Sequence, residues 1–172
     1  MKKQNPDRRK FLHGGFKAVG AAAGALALAA PARAAKAQTA KPAKMAKKAI
    51  YRPGEKPSPD AIFSAAIQYG NLLFVSGSGA QDLATHKVVE GPIQSQVRQC
   101  LENIKSVVEA AGSSMDRVLK CTVFLTDIAN FGDMNAVYHG YFPTEPPARS
   151  TIAVKDLPGG SPVEIECIAY LG

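Results

Sequence analysis

Cysteine, histidine and aromatic residues are scarce in this chain of 172 residues, and their scarcity excludes several classes of protein. The three cysteines form an odd set without CxxC spacing, so neither a complete disulfide framework nor a zinc site is indicated. Downstream of residue 34 only His86 and His139 remain, and neither belongs to a Cys/His pattern typical of a thiol nucleophile or a metal site. No cofactor motif is found: the Gly/Ser stretch at 76–79 lacks the spacing and the lysine of a phosphate-binding loop.

Long hydrophobic runs are also missing. The most apolar stretch, residues 16–30, is interrupted by a lysine and consists mainly of alanine and glycine, so it falls short of the roughly 18–20 apolar residues that cross a bilayer. Residues 1–34 instead have the charged start, Ala/Gly-rich centre and Ala-Arg-Ala end of a cleavable export signal. Residues 7–12 resemble a twin-arginine motif, with Asp7 where Ser or Thr is usual. We predict cleavage near Ala34 and a periplasmic protein exported by the twin-arginine translocase; a general secretory signal or an amphipathic helix is the alternative.

The basic isoelectric point of 9.4 is misleading, because the positive charge is concentrated in the first third of the chain. Residues 1–34 hold 7 of the 21 Lys/Arg, and residues 35–52 hold 6 more with no acid. From residue 53 onward there are 8 basic and 13 acidic residues, a net charge of −5. A nucleic-acid partner, and with it a ribonuclease activity, is therefore disfavoured. The Lys/Ala-rich segment 35–52 is predicted to be a disordered tether that makes no stable membrane insertion, and 53–172 is predicted to be one domain.

Periodicity within residues 53–172 predicts the element order β-β-α-β-α-β-β. The predicted elements are strands at 62–68 and 72–76, a helix at 93–111, a strand at 118–126, a helix at 129–142, and a C-terminal hairpin with strands starting at Arg149 and Val163. Cys121 and Cys167 alternate in phase with apolar neighbours, so they are predicted to be buried. We therefore expect an α+β fold in which two helices cover one face of a mixed sheet and the other face is available for assembly.

The predicted C-terminal hairpin carries three charges among small and branched apolar residues. Burying its apolar positions together places Arg149, Glu164 and Glu166 on one face, with Thr151 beside them. That face is otherwise too apolar to be solvated, so we expect it to be covered by another subunit or to line a cleft. Two interpretations stay open: a site for a small anion, or an ordinary cross-strand ion pair between Arg and Glu.

Six segments together resemble one known family. They are LFVSG (73–77), QCLENIKSVVEAAG (99–112), KCTVFLTD (120–127), MNAVYHGYF (134–142), PPARSTIAV (146–154) and VEIECIA (163–169). This combination is similar to the Rid family, also called the YjgF family, from about residue 61 to residue 172. The resemblance implies a chorismate-mutase-like fold assembled as a homotrimer with clefts between subunits. It also implies hydrolysis of reactive enamines and imines, such as 2-iminopropanoate and 2-iminobutanoate, to 2-oxo acids and ammonia.

The resemblance also implies roles for individual residues. Arg149 anchors the substrate carboxylate, and Glu164 holds and polarises the attacking water, with Glu166 as a competitor on the same face. The remaining substrate-binding residues are Phe63, Ser76, Gly77, Asn135 and Thr151. A glutamate beside Arg149 is expected to have a lowered pKa, so it orients water rather than acting as a strong base.

Three departures from the family pattern bear on the substrate. Phe63 stands where deaminating members often have tyrosine, and it is either packed over the substrate or part of the core. Thr151 replaces a cysteine, and the loop after Gly77 differs from the familiar Ser-Gly-Gln. We therefore carry two hypotheses: a hydrolytic deaminase of 2-imino acids, and a non-catalytic trimer that binds a small carboxylate or acts as a holdase. The presence of both Arg149 and Glu164 favours the enzyme, since binding an anion needs only the first.

Overall fold

The computed structural model describes residues 45–172. The signal peptide predicted for residues 1–34 and the first ten residues of the predicted tether lie outside the described residues. Among the residues described, no helix is long and apolar enough to cross a membrane.

The described chain forms one six-stranded mixed sheet and two α-helices. In chain order the elements are β1 (Lys48–Ile50), β2 (Ala66–Tyr69), β3 (Leu72–Gly79), α1 (Ile93–Ala110), β4 (Val118–Leu125), α2 (Phe131–Tyr141), β5 (Ala148–Ala153) and β6 (Val163–Tyr170). The strand order across the sheet is β1-β2-β3-β6-β4-β5. All neighbours are antiparallel except β4 and β5, which are parallel. The predicted α+β class and the order of the main elements are confirmed.

Helix α1 supplies much of the core, because its apolar residues recur every three or four positions. Val97, Leu101, Ile104 and Val108 are all buried, and α1 packs on β3 and β6. Gly112 ends the helix with φ +81°, a left-handed conformation that favours glycine, and its N–H donates to the Glu109 carbonyl. The predicted helix and its stop are therefore confirmed to within one residue.

Cysteines of the central strands lie in the same core. Cys121 of β4 and Cys167 of β6 are 1% and 3% exposed and stand opposite each other in the antiparallel register. The prediction that both behave as small buried hydrophobes is confirmed.

Strand β1 corrects the prediction for the end of the tether. Lys48 pairs with Gln68 and Ile50 with Ala66, and the Ile50 side chain is buried. Residues 48–50 are therefore an edge strand of the sheet, because β2 offers an unpaired edge and Ile50 gains a place in the core. The lysine-rich composition concealed this short pairing segment.

The predicted C-terminal hairpin is wrong. Strand β4 lies between β5 and β6: Cys121 pairs with Arg149 of β5 on one side and with Cys167 of β6 on the other. The crossover through α2 returns β5 parallel to β4, as a strand-helix-strand unit requires. Strand β6 then enters between β3 and β4, where its alternate residues Val163, Ile165, Cys167 and Ala169 are buried.

The first two strands also differ from their predicted bounds. β2 begins at Ala66 rather than residue 62, so Phe63 precedes the strand, with 66% of its surface exposed. β3 extends to Gly79 rather than ending at residue 76, so the Gly/Ser stretch 76–79 forms the irregular end of this strand, where its register against β6 shifts between Val75 and Ser78. Phe63 is therefore not a core residue, and the Gly/Ser stretch is held by a neighbouring strand.

The sheet face opposite the helices is open and partly apolar. It exposes Phe74, Ile152 and Tyr170, each by between a third and a half. A shallow depression of about 180 Å³ lies on this face between Phe74, Thr122 and Ile168. A face with this much exposed apolar surface is typical of an assembly surface.

Candidate functional site

Arg149 reaches from β5 onto helix α2. One terminal nitrogen of its guanidinium, Nη2, donates to Asn135 Oδ1 at 2.6 Å. The guanidinium carbon lies 4.5 Å from the centre of the Tyr138 ring and 5.6 Å from that of Phe131. Cation–π contact on two rings and one strong hydrogen bond hold the guanidinium in a defined orientation.

The cleft beside Arg149 has a volume of about 450 Å³ and lies between α2 and the segment that leads into β5. Pro146 and Pro147 line it together with Asn135 and Tyr138. Among residues 45–172, no carboxylate oxygen lies within 4.0 Å of an Arg149 nitrogen. The ion pair in this part of the chain joins Arg52 and Glu55 instead. The cross-strand ion pair that we considered from the sequence is therefore wrong, and Arg149 keeps donors for an external anion.

Two aromatic residues that contact the Arg149 guanidinium, Phe131 and Tyr138, were not identified from the sequence. Phe131, Asn135 and Tyr138 follow one another at spacings of four and three, so they share one face of α2. Tyr138 is 5% exposed, and burial raises the pKa of its phenol well above the ordinary value. Tyr138 therefore stays protonated and serves as a neutral ring platform for Arg149. The helical spacing was the signal that could have identified it.

Thr151 follows Arg149 on the same side of β5, and its register partner is Val123 of β4. Its hydroxyl oxygen is buried without a hydrogen-bond partner. An unpaired buried hydroxyl costs free energy, which is typical of a place where a ligand or another chain completes the hydrogen bond. Arg149, Asn135 and Thr151 thus form one cluster, which we call the anchor cluster.

Glu164 belongs to a second cluster at the far end of β3. It is opposite Gly79 in the register, and its side chain lies directly over Gly77. Glu164 is partly buried, whereas Glu166 two residues on is exposed. Burial, together with the charge of Glu166, raises the pKa of the Glu164 carboxyl above its usual value.

Ser76 and Phe63 complete this second cluster. Ser76 Oγ donates to the Ser64 carbonyl at 2.8 Å, and its backbone N–H donates to the Ala65 carbonyl at 3.0 Å. These bonds fix the segment that carries Phe63, whose exposed ring and Gly77 line a common cavity. We call Phe63, Ser76, Gly77 and Glu164 the water cluster, after the role predicted for its carboxylate.

The two clusters do not meet within one chain. Arg149 lies on the helix side of the sheet, because its register partner Cys121 is a core residue, as is Cys167, which stands opposite Cys121 on β6. Glu164 and Glu166 pair with Phe124 and Thr122 and so point to the open side. The prediction that Arg149 and both glutamates share a face is wrong, and so is the lowered pKa expected for Glu164 within the chain. The reason is that β4 separates the strands that were expected to pair.

Gly77→Ala is expected to lower activity without unfolding the protein. A Cβ at this position would overlap the Glu164 carboxylate, which would have to swing away; the φ of Gly77 is one that other residues adopt. Misplacing a catalytic group by about 1 Å costs roughly a hundredfold in rate. Steady-state turnover and the melting temperature measure the two effects separately.

Gly140→Ala is the matched control, since nothing lies within 4 Å of a Cβ built at this helical position. It should keep full activity and stabilise α2 slightly. Equal activity of Gly77→Ala and Gly140→Ala would contradict the role of the space over Gly77.

Comparisons with known proteins identify the family of this sequence and fold. Residues 53–171 match the family model described as Endoribonuclease L-PSP. A RutC family protein of Pyrococcus horikoshii is 46% identical over 114 residues, which cover 66% of this chain and 90% of the relative. A 2-iminobutanoate/2-iminopropanoate deaminase of Dermatophagoides farinae is 36% identical over 127 residues, which cover 74% of this chain and 99% of the relative. The crystal structure of the yjgF gene product of E. coli superposes with a TM-score of 0.65 at 32% identity, covering 72% of this chain and 98% of that one.

These matches define the class of protein as a mixed α+β domain of the YjgF type. The chain belongs to the Endoribonuclease L-PSP family, which is the Rid or YjgF family that its sequence segments resemble.

Proposed function

We propose that this protein is a hydrolytic deaminase of 2-imino acids. The reaction adds water to the protonated imine carbon, breaks the carbon–nitrogen bond and releases a 2-oxo acid and an ammonium ion. The observation that carries the proposal is the guanidinium of Arg149, which is held in a cleft by Asn135 and Tyr138 and has no carboxylate partner among the described residues. A family relative that carries the name 2-iminobutanoate/2-iminopropanoate deaminase supports the same chemistry.

The complete site is formed between subunits of a homotrimer. The anchor cluster and the water cluster lie on opposite sides of the sheet in one chain, so each chain contributes one half to each of two sites. The open sheet face, with Phe74, Ile152 and Tyr170 exposed, supplies an apolar surface for this assembly. The homotrimer that the family resemblance implies brings the two clusters of neighbouring chains together and covers this apolar surface.

Each cluster has a defined task in the reaction. Arg149 binds the planar substrate carboxylate through two parallel hydrogen bonds, and Asn135 fixes the guanidinium plane. Glu164 of the neighbouring chain holds a water against the imine carbon, and Gly77 leaves the space in which that carboxylate lies. The exposed ring of Phe63 covers the bound substrate. Positioning of the water against the imine carbon accelerates hydrolysis, because a protonated imine is already electrophilic.

The protonation state of Glu164 follows from the assembly. In one chain burial and Glu166 raise the pKa of Glu164, whereas the guanidinium of a neighbouring Arg149 favours the ionised form. An ionised Glu164 accepts a hydrogen bond from the water and directs its lone pair at the imine. Activity therefore declines as the pH falls through the pKa of this carboxyl.

Glu164→Gln tests the assignment. We expect kcat to fall by about a hundredfold or more with a much smaller change in KM, and the acid limb of the pH–rate profile to disappear. The assay generates the imine in situ with an amino-acid oxidase and measures release of the 2-oxo acid. Glu166→Gln is the control for kcat, since its exposed carboxylate takes no part in the proposed step. Its removal should only move the acid limb to lower pH, because the charge of Glu166 helps to raise the pKa of Glu164.

A carboxylate-binding trimer without turnover is the second outcome of the same assay. If wild-type protein accelerates hydrolysis of neither small nor aromatic imines, while binding a 2-oxo acid through Arg149, the deaminase assignment is wrong.

Export through the twin-arginine route, with cleavage near Ala34, remains part of the proposal and rests on the sequence of residues 1–34.

A further inference from the structure

A second cavity adjoins the water cluster. It has a volume of about 580 Å³ and lies at the end of β3, where the chain before β2 and the loop after β3 approach each other. Phe63 and Gly77 line it, so the cavity borders the Glu164 side chain, which lies over Gly77. Arg52, Ser78 and Asn103 also line its wall.

Two buried hydrogen-bond donors in this cavity have no acceptor. Ser78 is 4% exposed, and its hydroxyl oxygen has no hydrogen-bond partner. The Nε–H of Arg52 is also buried and unpaired. Most buried polar groups in proteins are satisfied, so two unpaired donors in one cavity indicate a missing acceptor.

Asn103 cannot supply that acceptor. Its amide nitrogen donates to the carbonyls of Gly79 and Gln81 at 3.2 and 2.8 Å, and its oxygen accepts from Gln99 at 2.9 Å. These bonds fix the cavity wall and leave the acceptor to a ligand. Such a ligand must bring an oxygen that accepts hydrogen bonds.

Arg52 selects for a negatively charged acceptor. Its Nη1 is paired with Glu55 Oε1 at 3.2 Å, and the second oxygen of Glu55 accepts from the Arg52 backbone N–H at 3.1 Å. The Arg52 side chain is 16% exposed, so this pair holds the guanidinium in place and leaves the buried Nε–H without a partner. A hydrogen bond from a guanidinium to a carboxylate is roughly twice as strong as one between neutral groups.

We propose that this cavity binds the side chain of the substrate and that Arg52 and Ser78 bind a second carboxylate there. The inference rests on the proposed function and narrows its substrate class to 2-imino dicarboxylic acids. In this arrangement Arg149 of the neighbouring chain binds the carboxylate next to the imine, Glu164 acts at the imine carbon, and the side chain extends past Phe63 and Gly77 to Arg52. Oxidative removal of hydride from an acidic amino acid is the class of reaction that supplies such a substrate.

Three imines made in situ by amino-acid oxidases test this specificity, derived from glutamate, glutamine and norvaline. They present a carboxylate, a carboxamide and a methyl group on side chains of similar length. For the wild-type trimer we expect kcat/KM to be highest for the glutamate imine. Arg52→Met should lower the ratio of kcat/KM for the glutamate imine to kcat/KM for the norvaline imine by about tenfold, since a charge-assisted hydrogen bond is lost.

Two further variants separate binding from folding. Ser78→Ala should lower the same ratio severalfold without lowering the melting temperature, because removing an unpaired buried hydroxyl costs no hydrogen bond. Glu55→Gln should also lower the ratio, because it weakens the ion pair that holds the Arg52 guanidinium in place. Arg98→Met is the matched control, since Arg98 is exposed on α1 and does not line this cavity, and it should leave the ratio at the wild-type value.

The outcomes distinguish the subsite from the proposed function. Turnover of the norvaline imine without preference for the glutamate imine, or an unchanged ratio in Arg52→Met, overturns the subsite and leaves the deaminase intact. Absence of turnover for all three imines overturns the deaminase. Calorimetric binding of 2-oxoglutarate compared with 2-oxopentanoate then tests the subsite by itself, and equal affinities in wild type and Arg52→Met would reject it.

Discussion

Arg149→Met is expected to lower kcat/KM for 2-imino acids by about a hundredfold to a thousandfold, the usual effect of removing one partner of a buried charge-assisted contact. Methionine keeps much of the apolar stem but lacks the guanidinium, which lies over the rings of Phe131 and Tyr138, so it cannot bind a carboxylate. The loss should appear in both kcat and KM, because the anchor fixes the substrate and also orients its imine carbon. The in situ oxidase assay measures it directly.

Arg149→Lys separates charge from geometry. A lysine keeps the positive charge but replaces the planar fork with a single ammonium group, so we expect it to recover only a small part of the activity. Arg98→Met is the control for loss of an arginine elsewhere, and it should behave as wild type. Near-normal turnover in Arg149→Lys would mean that charge alone suffices and that the paired hydrogen bonds are not needed.

Co-expression of Arg149→Met and Glu164→Gln chains should restore activity that neither variant has alone. If each site takes its anchor cluster from one chain and its water cluster from the next, a mixed trimer contains one site with both residues intact. Random assembly of equal amounts of the two variant chains then gives about a quarter of the wild-type activity per chain. Trimers of either variant alone keep about 1% of the wild-type activity or less. The expected gain is therefore more than tenfold.

The double variant Arg149→Met/Glu164→Gln, co-expressed with wild type, is the complementary control. It places both substitutions in the same chain, so trimers with two wild-type chains keep one intact site and trimers with one keep none. With the pure wild-type trimers included, the total again falls to about a quarter of that of wild type. Activity in the first mixture no higher than the mean of the two pure variants would show that the site lies within one chain. That result would contradict the composite cleft.

The regular elements near the core were predictable because their patterns are local. Helix α1 repeats its buried residues at helical spacing, and β4 alternates around Cys121 and Val123, so each reveals its buried face without reference to the rest of the chain. Phe63 was harder to place, because an apolar residue just before a strand continues its alternation although the chain there is not paired.

The candidate residues were predictable in identity but not in arrangement. Arg149 was placed with Glu164 because Ile152, between Ser150 and Val154, suggested that the even positions of this strand face the core. Ile152 is instead 47% exposed on the open sheet face, and the odd positions face α2. On an edge strand that meets a helix on one side and an assembly surface on the other, both faces carry apolar residues, so alternation does not tell them apart.

By itself the sequence determined the fold class, the buried faces of α1, β4 and β6, and the presence of an arginine and a glutamate suited to a carboxylate-bearing imine, because short-range periodicity and residue chemistry encode these features. Only the tertiary structure decided the insertion of β6 between β3 and β4, the opposite sides of Arg149 and Glu164, and the unpaired donors of Arg52 and Ser78. These depend on pairing between segments far apart in the chain. A strand's own pattern restricts which of its faces is buried, but it does not choose its neighbours.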